Sequence, residues 1–312
     1  MRKKIGLLIK FIIFNAILAL CLIGANLVLR NKEYEGCQDM FAKWKPDHAD
    51  IVFIGNSHQF CTIDTDLLYS EYGIESYMLA SSAQTVPMSY YAAKEAIELK
   101  HPDVICFEVS YCANDFMTVE GMDHCFFDGF PACEARKEAL EDLIDPEERI
   151  YYLLPLGLFH SRWKELTEAD YSGFPVSERG AYHMENVYVN RDIPVVESDD
   201  IYPIPGEMEN YLRKLIDLCK EENVKLILYA APFNGLYPDD EGCMQDLAMR
   251  QRIFNHVGAV AAECGVEYHN LFYEIDKLGI DNTADWADSQ HFNVLGQAKM
   301  TRYMMESGYL GY

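Results

Sequence analysis

Basic residues are scarce in this chain: 26 lysines and arginines stand against 50 aspartates and glutamates in 312 residues, a formal net charge of −24. The scarcity is uneven. Arg2, Lys3, Lys4, Lys10 and Arg30 all fall in residues 1–30, which hold no acidic residue, leaving 21 against 50, or −29, for residues 31–312. Phosphate backbones are held by concentrated Lys and Arg, so nucleic acid is excluded as a partner. Paired metal-ligand spacings are also missing. None of the ten cysteines forms a Cys-x-x-Cys pair and no His/Cys pair has zinc-finger spacing, so neither a zinc module nor another metal cofactor is expected. Most of these cysteines are expected as buried free thiols, with Cys112, Cys125 and Cys133 the ones best able to pair. There is no internal repeat and no low-complexity tract. Half the residues are apolar, enough for a sizeable core, which excludes a disordered chain.

Strongly polar groups are nearly absent from Phe11 to Leu29, which carries only Asn15 and Asn26. At about 1.5 Å per residue such a helix covers the roughly 30 Å hydrocarbon core of a bilayer. Arg2, Lys3 and Lys4 precede it, so the positive-inside tendency places the N-terminus in the cytoplasm and the acidic body outside. A cleaved signal peptide is the competing reading. It lacks a small-x-small cleavage site, and Leu20 occupies the place before Cys21 where a lipoprotein site needs a small residue. A single-pass anchor is therefore expected over residues 1–30, then a polar linker over 31–48 and one domain over 49–312.

Within that domain, apolar runs at 51–55, 74–79, 103–110, 224–231 and 266–271 have the length and β-branched or aromatic content of strands covered on both faces. Helical spacing of apolar residues marks 90–100, 207–222 and 245–264. The alternation predicts an α/β fold: a doubly wound, mostly parallel five-stranded sheet with helices on both faces. One stretch, about 111–205, interrupts it. It is long, aromatic and rich in turns, and is expected either as a cap over the site or as a peripheral packing element.

Functional groups of open α/β sheets collect at the carboxyl ends of strands. Gly55-Asn56-Ser57-His58 stands at such an end, where glycine permits a tight turn and a helix starting near Asp64 would direct its N-terminus toward the serine. A serine hydroxyl needs a base, and near the other end of the chain Asp288-Ser-Gln-His291 places a carboxylate three residues before an imidazole. Ser57 as nucleophile, His291 as base and Asp288 as its orienter is the expected arrangement. His58 is expected to point elsewhere, while Asp281 and Asp285 lack the spacing of Asp288. The plainer account of Asp288 is a cap for a helix beginning near Val294.

With these two motifs the chain resembles the SGNH/GDSL hydrolase superfamily, whose nucleophilic serine follows the first strand and whose last motif is Asp-x-x-His. Leu79–Tyr91 resembles the second motif region, and Asp285–Gly296 resembles the end of a membrane-anchored branch similar to bacterial envelope proteins of D-alanyl transfer and polysaccharide O-acetylation. The resemblance implies a three-layer, flavodoxin-like fold and an oxyanion hole built from the Ser57 backbone, Ala83 and Asn114. It departs from the family pattern at Ser82-Ala83, where glycine is expected, and at Cys112-Ala-Asn114-Asp115, which lacks the glycine of Gly-x-Asn-Asp. The expectation is a membrane-anchored, extracytoplasmic serine esterase or O-acyltransferase acting on an acyl ester or carbohydrate substrate, alongside envelope-assembly partners. The alternative is a catalytically weak scaffold of the same fold.

Overall fold

The computed structural model describes residues 2–30, 48–172, 177–193, 195, 198–234 and 241–312. Five strands, β1 (Ile51–Gly55), β2 (Ser76–Ala80), β3 (Val104–Glu108), β4 (Lys225–Ala230) and β5 (Glu267–Asn270), form one parallel sheet in the order β2-β1-β3-β4-β5. The first three are buried along their whole length. That is why each reads as a mostly apolar run with no alternation, broken only by Ser76 and Glu108 at strand ends. The order reverses direction between β2 and β3, so the carboxyl ends of β1 and its neighbours flank a switch point of the doubly wound sheet.

The helices are α1 (Arg2–Leu29), α2 (Ser57–Thr62), α3 (Thr65–Tyr72), α4 (Val86–Lys100), α5 (Asp123–Phe127), α6 (Glu134–Leu143), α7 (Arg149–Leu153), α8 (Leu156–Phe159), α9 (Ala169–Ser172), α10 (Gly206–Glu221), α11 (Glu241–Cys264) and α12 (Val294–Glu306). α10 turns Met208, Tyr211, Leu212, Leu215, Ile216 and Cys219 inward, and this stripe packs it against α4. α12 packs on α2 and α3, giving the sheet its second layer of helices. α1 is long and apolar enough to cross a membrane, and its window of highest hydropathy is not buried against the rest of the chain.

The stretch after β3 divides in two. Its first half is helical and packs to the side: α6 lies on α4, and Asp142 accepts hydrogen bonds from Tyr91 on α4 and Tyr211 on α10. Its second half runs from the edge of β2 to the loop that leads into α12. There Met78 N donates to Arg179 O at 3.0 Å, Val294 N to Met184 O at 2.9 Å and Tyr188 N to Trp286 O at 2.8 Å. Cys112, Cys125 and Cys133 are free thiols, as are Cys21, Cys61, Cys106, Cys219 and Cys264.

Candidate active site

The first turn after β1 is built by its glycine. Gly55 has φ +155°, and a Cβ there would meet Gln59 Cβ at 2.9 Å and Glu108 Cβ at 3.4 Å. The chain turns at once into α2, which begins at Ser57 itself and not near Asp64. Asn56 caps it, its Oδ1 accepting from His58 N at 2.7 Å. Asp64 caps the next helix, accepting from Asp66 N and Leu67 N at 3.0 Å each. The helix whose N-terminus carries the serine is therefore the six-residue α2, which has no apolar periodicity to reveal it.

Ser57 Oγ lies 2.8 Å from His291 Nε2, and His291 Nδ1 lies 2.9 Å from Asp288 Oδ2. Asp288 is not the cap of α12; Asn293 is, accepting from Leu295 N at 3.0 Å and Gly296 N at 3.2 Å. Asp288 Oδ1 accepts from Gln290 N at 2.7 Å and His291 N at 2.9 Å. Partial burial raises its pKa, but the hydrogen bond and charge of His291, followed by these two amides, outweigh that and hold it at about 2. An ionised carboxylate only accepts. The His291 proton must then sit on Nδ1, which leaves the Nε2 lone pair to accept from the Ser57 hydroxyl.

His58 lies closer to this group than a turn residue pointing elsewhere would. It is buried, with its ring centroid 4.4 Å from Phe233 and 5.2 Å from His291. Burial, then the charges of His291 and Arg250, hold its pKa well below the ordinary imidazole range, so it stays neutral. The Asp288 charge and the Gln290 backbone act on it in the opposite direction and are outweighed.

Of the residues expected at the oxyanion hole, Ala83 adopts φ +56°, the left-handed conformation that glycine favours, so the glycine missing from the sequence is replaced by its backbone geometry. Its turn abuts the serine turn, Ser81 N donating to Gly55 O at 3.4 Å. Asn114 accepts at Oδ1 from Arg250 Nη1 at 3.0 Å, which commits that oxygen and leaves its NH₂ as the donating end. Arg250 itself reaches Asp246 at 2.7 Å.

Several supporting residues carry no sequence signal. Asn190 Nδ2 and Asn234 N both donate to Ser289 O, at 3.3 and 3.2 Å, and Asn234 Nδ2 donates to Asn190 Oδ1 at 2.9 Å. The Asp288–His291 turn is thus clamped from the segment after β4 and from the strap after Ser177. Below Ser57, Glu108 is fully buried. It accepts from Ser110 N at 3.1 Å, Ser110 Oγ at 2.6 Å and Ala231 N at 3.3 Å, and Ser110 Oγ accepts from Asn56 Nδ2 at 2.8 Å. Glu108 alone carries a signal, as the one acidic residue between Val104 and Ser110. Two clusters of metal-ligating type among the described residues, Asp64/Asp66/His183 and His48/Asp50/Asp103, are capping and ion-pair groups.

No family model matches the sequence, and no curated protein matches it. Solved structures do resemble the fold. A Bacteroides fragilis protein described as acylhydrolase-like matches at 12% identity and TM-score 0.40, over 85% of this chain and 88% of its own. A GDSL-like lipase from Bacteroides thetaiotaomicron matches at 10% identity and TM-score 0.38, over 83% and 86%. The acetylxylan esterase Axe2 from Geobacillus stearothermophilus matches at 14% identity and TM-score 0.38, over 85% and 94%. At such identities and scores these likenesses bear on neither substrate nor mechanism.

Proposed function

We propose that the chain is a serine esterase of the SGNH/GDSL type, held at a membrane by α1. The observation that carries this reading is the unbroken line Ser57 Oγ, His291 Nε2, His291 Nδ1, Asp288 Oδ2, with contacts of 2.8 and 2.9 Å. Ser57 Oγ attacks the carbonyl carbon of an acyl ester while its proton passes to His291 Nε2. The tetrahedral intermediate collapses, the alcohol leaves with the proton from His291, and acyl-Ser57 remains. Water, activated by the same imidazole, then regenerates the serine and releases the acid. A sugar or polyol hydroxyl in place of water gives O-acyl transfer, the finer reading for an extracytoplasmic enzyme of envelope polysaccharide modification.

The developing oxyanion is assigned to the Ser57 N–H, the Ala83 N–H and the Asn114 NH₂. Each such donor is worth about 3 kcal/mol of transition-state stabilisation. Asp288 keeps His291 in the required tautomer and offsets its positive charge in the transition state. A scaffold without catalysis has no need of a serine hydroxyl at hydrogen-bond distance from an imidazole that is itself oriented by a carboxylate, and the geometry favours the enzyme.

The test is labelling of the full-length protein by a fluorophosphonate probe, with the modified residue identified by mass. Adduct on Ser57, lost in Ser57→Ala along with turnover of short acyl esters, is the expected result. Equal labelling of the variant overturns the mechanism.

A further inference from the structure

The last turn of α1 is received by the protein and not left free. Asn26 Oδ1 accepts from Leu156 N at 2.7 Å, tying the helix to the start of α8. Arg162 Nη1 donates to the carbonyls of Leu29 and Arg30 at 3.1 and 2.8 Å, groups that a helix C-terminus leaves without donors of its own. Asp170 holds Arg162 from the other side at 2.6 Å, and Arg30 Nη1 donates to Asp128 O at 3.2 Å. α8, α9 and the 3₁₀ turn His160–Lys164 all contact α1, and α7 contacts α8.

This same segment turns large apolar side chains away from the protein. Ile150, Leu153, Leu154, Leu158, Trp163 and Tyr171 are between 44 and 68% exposed. A soluble monomer rarely gathers so many on one short stretch unless something covers them. What covers them follows from their position. The patch is continuous with α1, whose own side chains are exposed along an apolar length fit to cross a bilayer. Its composition, aliphatic residues with Trp and Tyr, is that of the membrane–water interface. Lys164, its Nζ 5.7 Å from the Trp163 ring centroid, can lay its stem along the apolar surface and keep its charge in the headgroups.

We propose that α7, α8, the His160–Lys164 turn and α9 form a collar that lies in the headgroup region of the bilayer around the exit of α1. The inference rests on the reading of α1 as an anchor. The collar seats the domain on the membrane at a fixed height, so that the Ser57 site works at a set distance from the surface instead of swinging on a tether.

The experiment uses full-length protein reconstituted into phosphatidylcholine vesicles whose acyl chains are brominated near their carbonyl ends. The chain has three tryptophans, and the difference between wild type and Trp163→Phe isolates the emission of Trp163. That emission is expected to be blue-shifted, quenched by the bromolipid and shielded from aqueous iodide. In Leu153→Asp/Leu158→Asp, at positions 64 and 46% exposed and so outside the core, bromine quenching is expected to be lost while the protein still survives a carbonate wash. Wild-type Trp163 that is open to iodide and untouched by bromine, in protein that resists the wash, overturns the collar and leaves the anchor standing. Protein that washes off overturns both.

Discussion

Glu108 is wholly buried, and every neighbour that hydrogen-bonds it is a donor. This sets the direction of a short chain of bonds. Because the Ser110 hydroxyl donates to Glu108, its lone pair must accept from the Asn56 NH₂; the Asn56 carbonyl is then free to cap His58 N and hold the first turn of α2. A protonated Glu108 would donate to Ser110 and reverse the chain, removing the cap from the turn that carries Ser57. The price of the ionised form is desolvation, which outweighs the three donors and raises the Glu108 pKa to about 7 from an ordinary 4.5. The titratable groups that face it, Tyr111, Cys112, Tyr229 and Tyr268, are themselves raised by burial and supply no positive charge. A group whose folded pKa is raised contributes stability that is full below its unfolded pKa and lost as pH rises through the folded one. Stability should therefore fall between about pH 4.5 and 7 by on the order of 3 kcal/mol. In Glu108→Gln this part of the slope should vanish. Urea midpoints measured across that range check it, and an unchanged slope in the variant would show that another group titrates there.

At the level of elements, the turn after β2 makes a comparable statement. Ala83 sits at φ +56°, where a residue with a Cβ is strained by about 1–2 kcal/mol, while glycine loses about 0.5–1 kcal/mol of extra chain entropy on folding. Ala83→Gly should leave the domain as stable or more stable by up to about 1 kcal/mol, and should keep fluorophosphonate labelling, since only the backbone N–H is asked to act. A loss of stability in urea unfolding would mean that the Ala83 methyl packs as core. The sheet was legible in the sequence because burial on both faces leaves long apolar runs, and α4, α10 and α11 because their apolar residues recur at helical spacing. Ser57, Asp288 and His291 stood out by strand-end position and by a spacing of three. What stayed hidden is what many distant contacts make. α2 is Ser-His-Gln-Phe-Cys-Thr, too short for a period to show. The Asn190–Asn234 and Asn190–Ser289 bonds span 44 and 99 residues, and an isolated asparagine looks the same whether it clamps a catalytic turn or ends a loop. His58 departs from the expectation for the converse reason: its ring lies against Phe233 and near His291, and neither is near it in sequence.

For the whole molecule the deciding quantity is charge. The net −24 is the sum of a basic, apolar first segment and a body at −29. Such a body repels anionic headgroups, so the attachment proposed for the collar is apolar and should not depend on acidic lipid. The same field acts on substrates in transit. A surface of one sign raises the local concentration of opposite charge and speeds encounter, with a reach of about 10 Å at 0.1 M salt. Within the site both signs are present, since Arg250 lowers the pKa of His58 while Asp288 opposes it and Asp246 pairs with Arg250. Long-range attraction of a cation and its contacts once bound act on different steps, which makes them separable. For a quaternary-ammonium acetyl ester and its uncharged carbon isostere, the ratio of kcat/KM values should favour the cation at low ionic strength and fall several-fold as salt is added. The ratio of kcat values, read after binding, should stay flat. Steady-state kinetics at increasing sodium chloride measure both. A kcat/KM ratio that does not move with salt would mean that the acidic body does not govern what reaches Ser57.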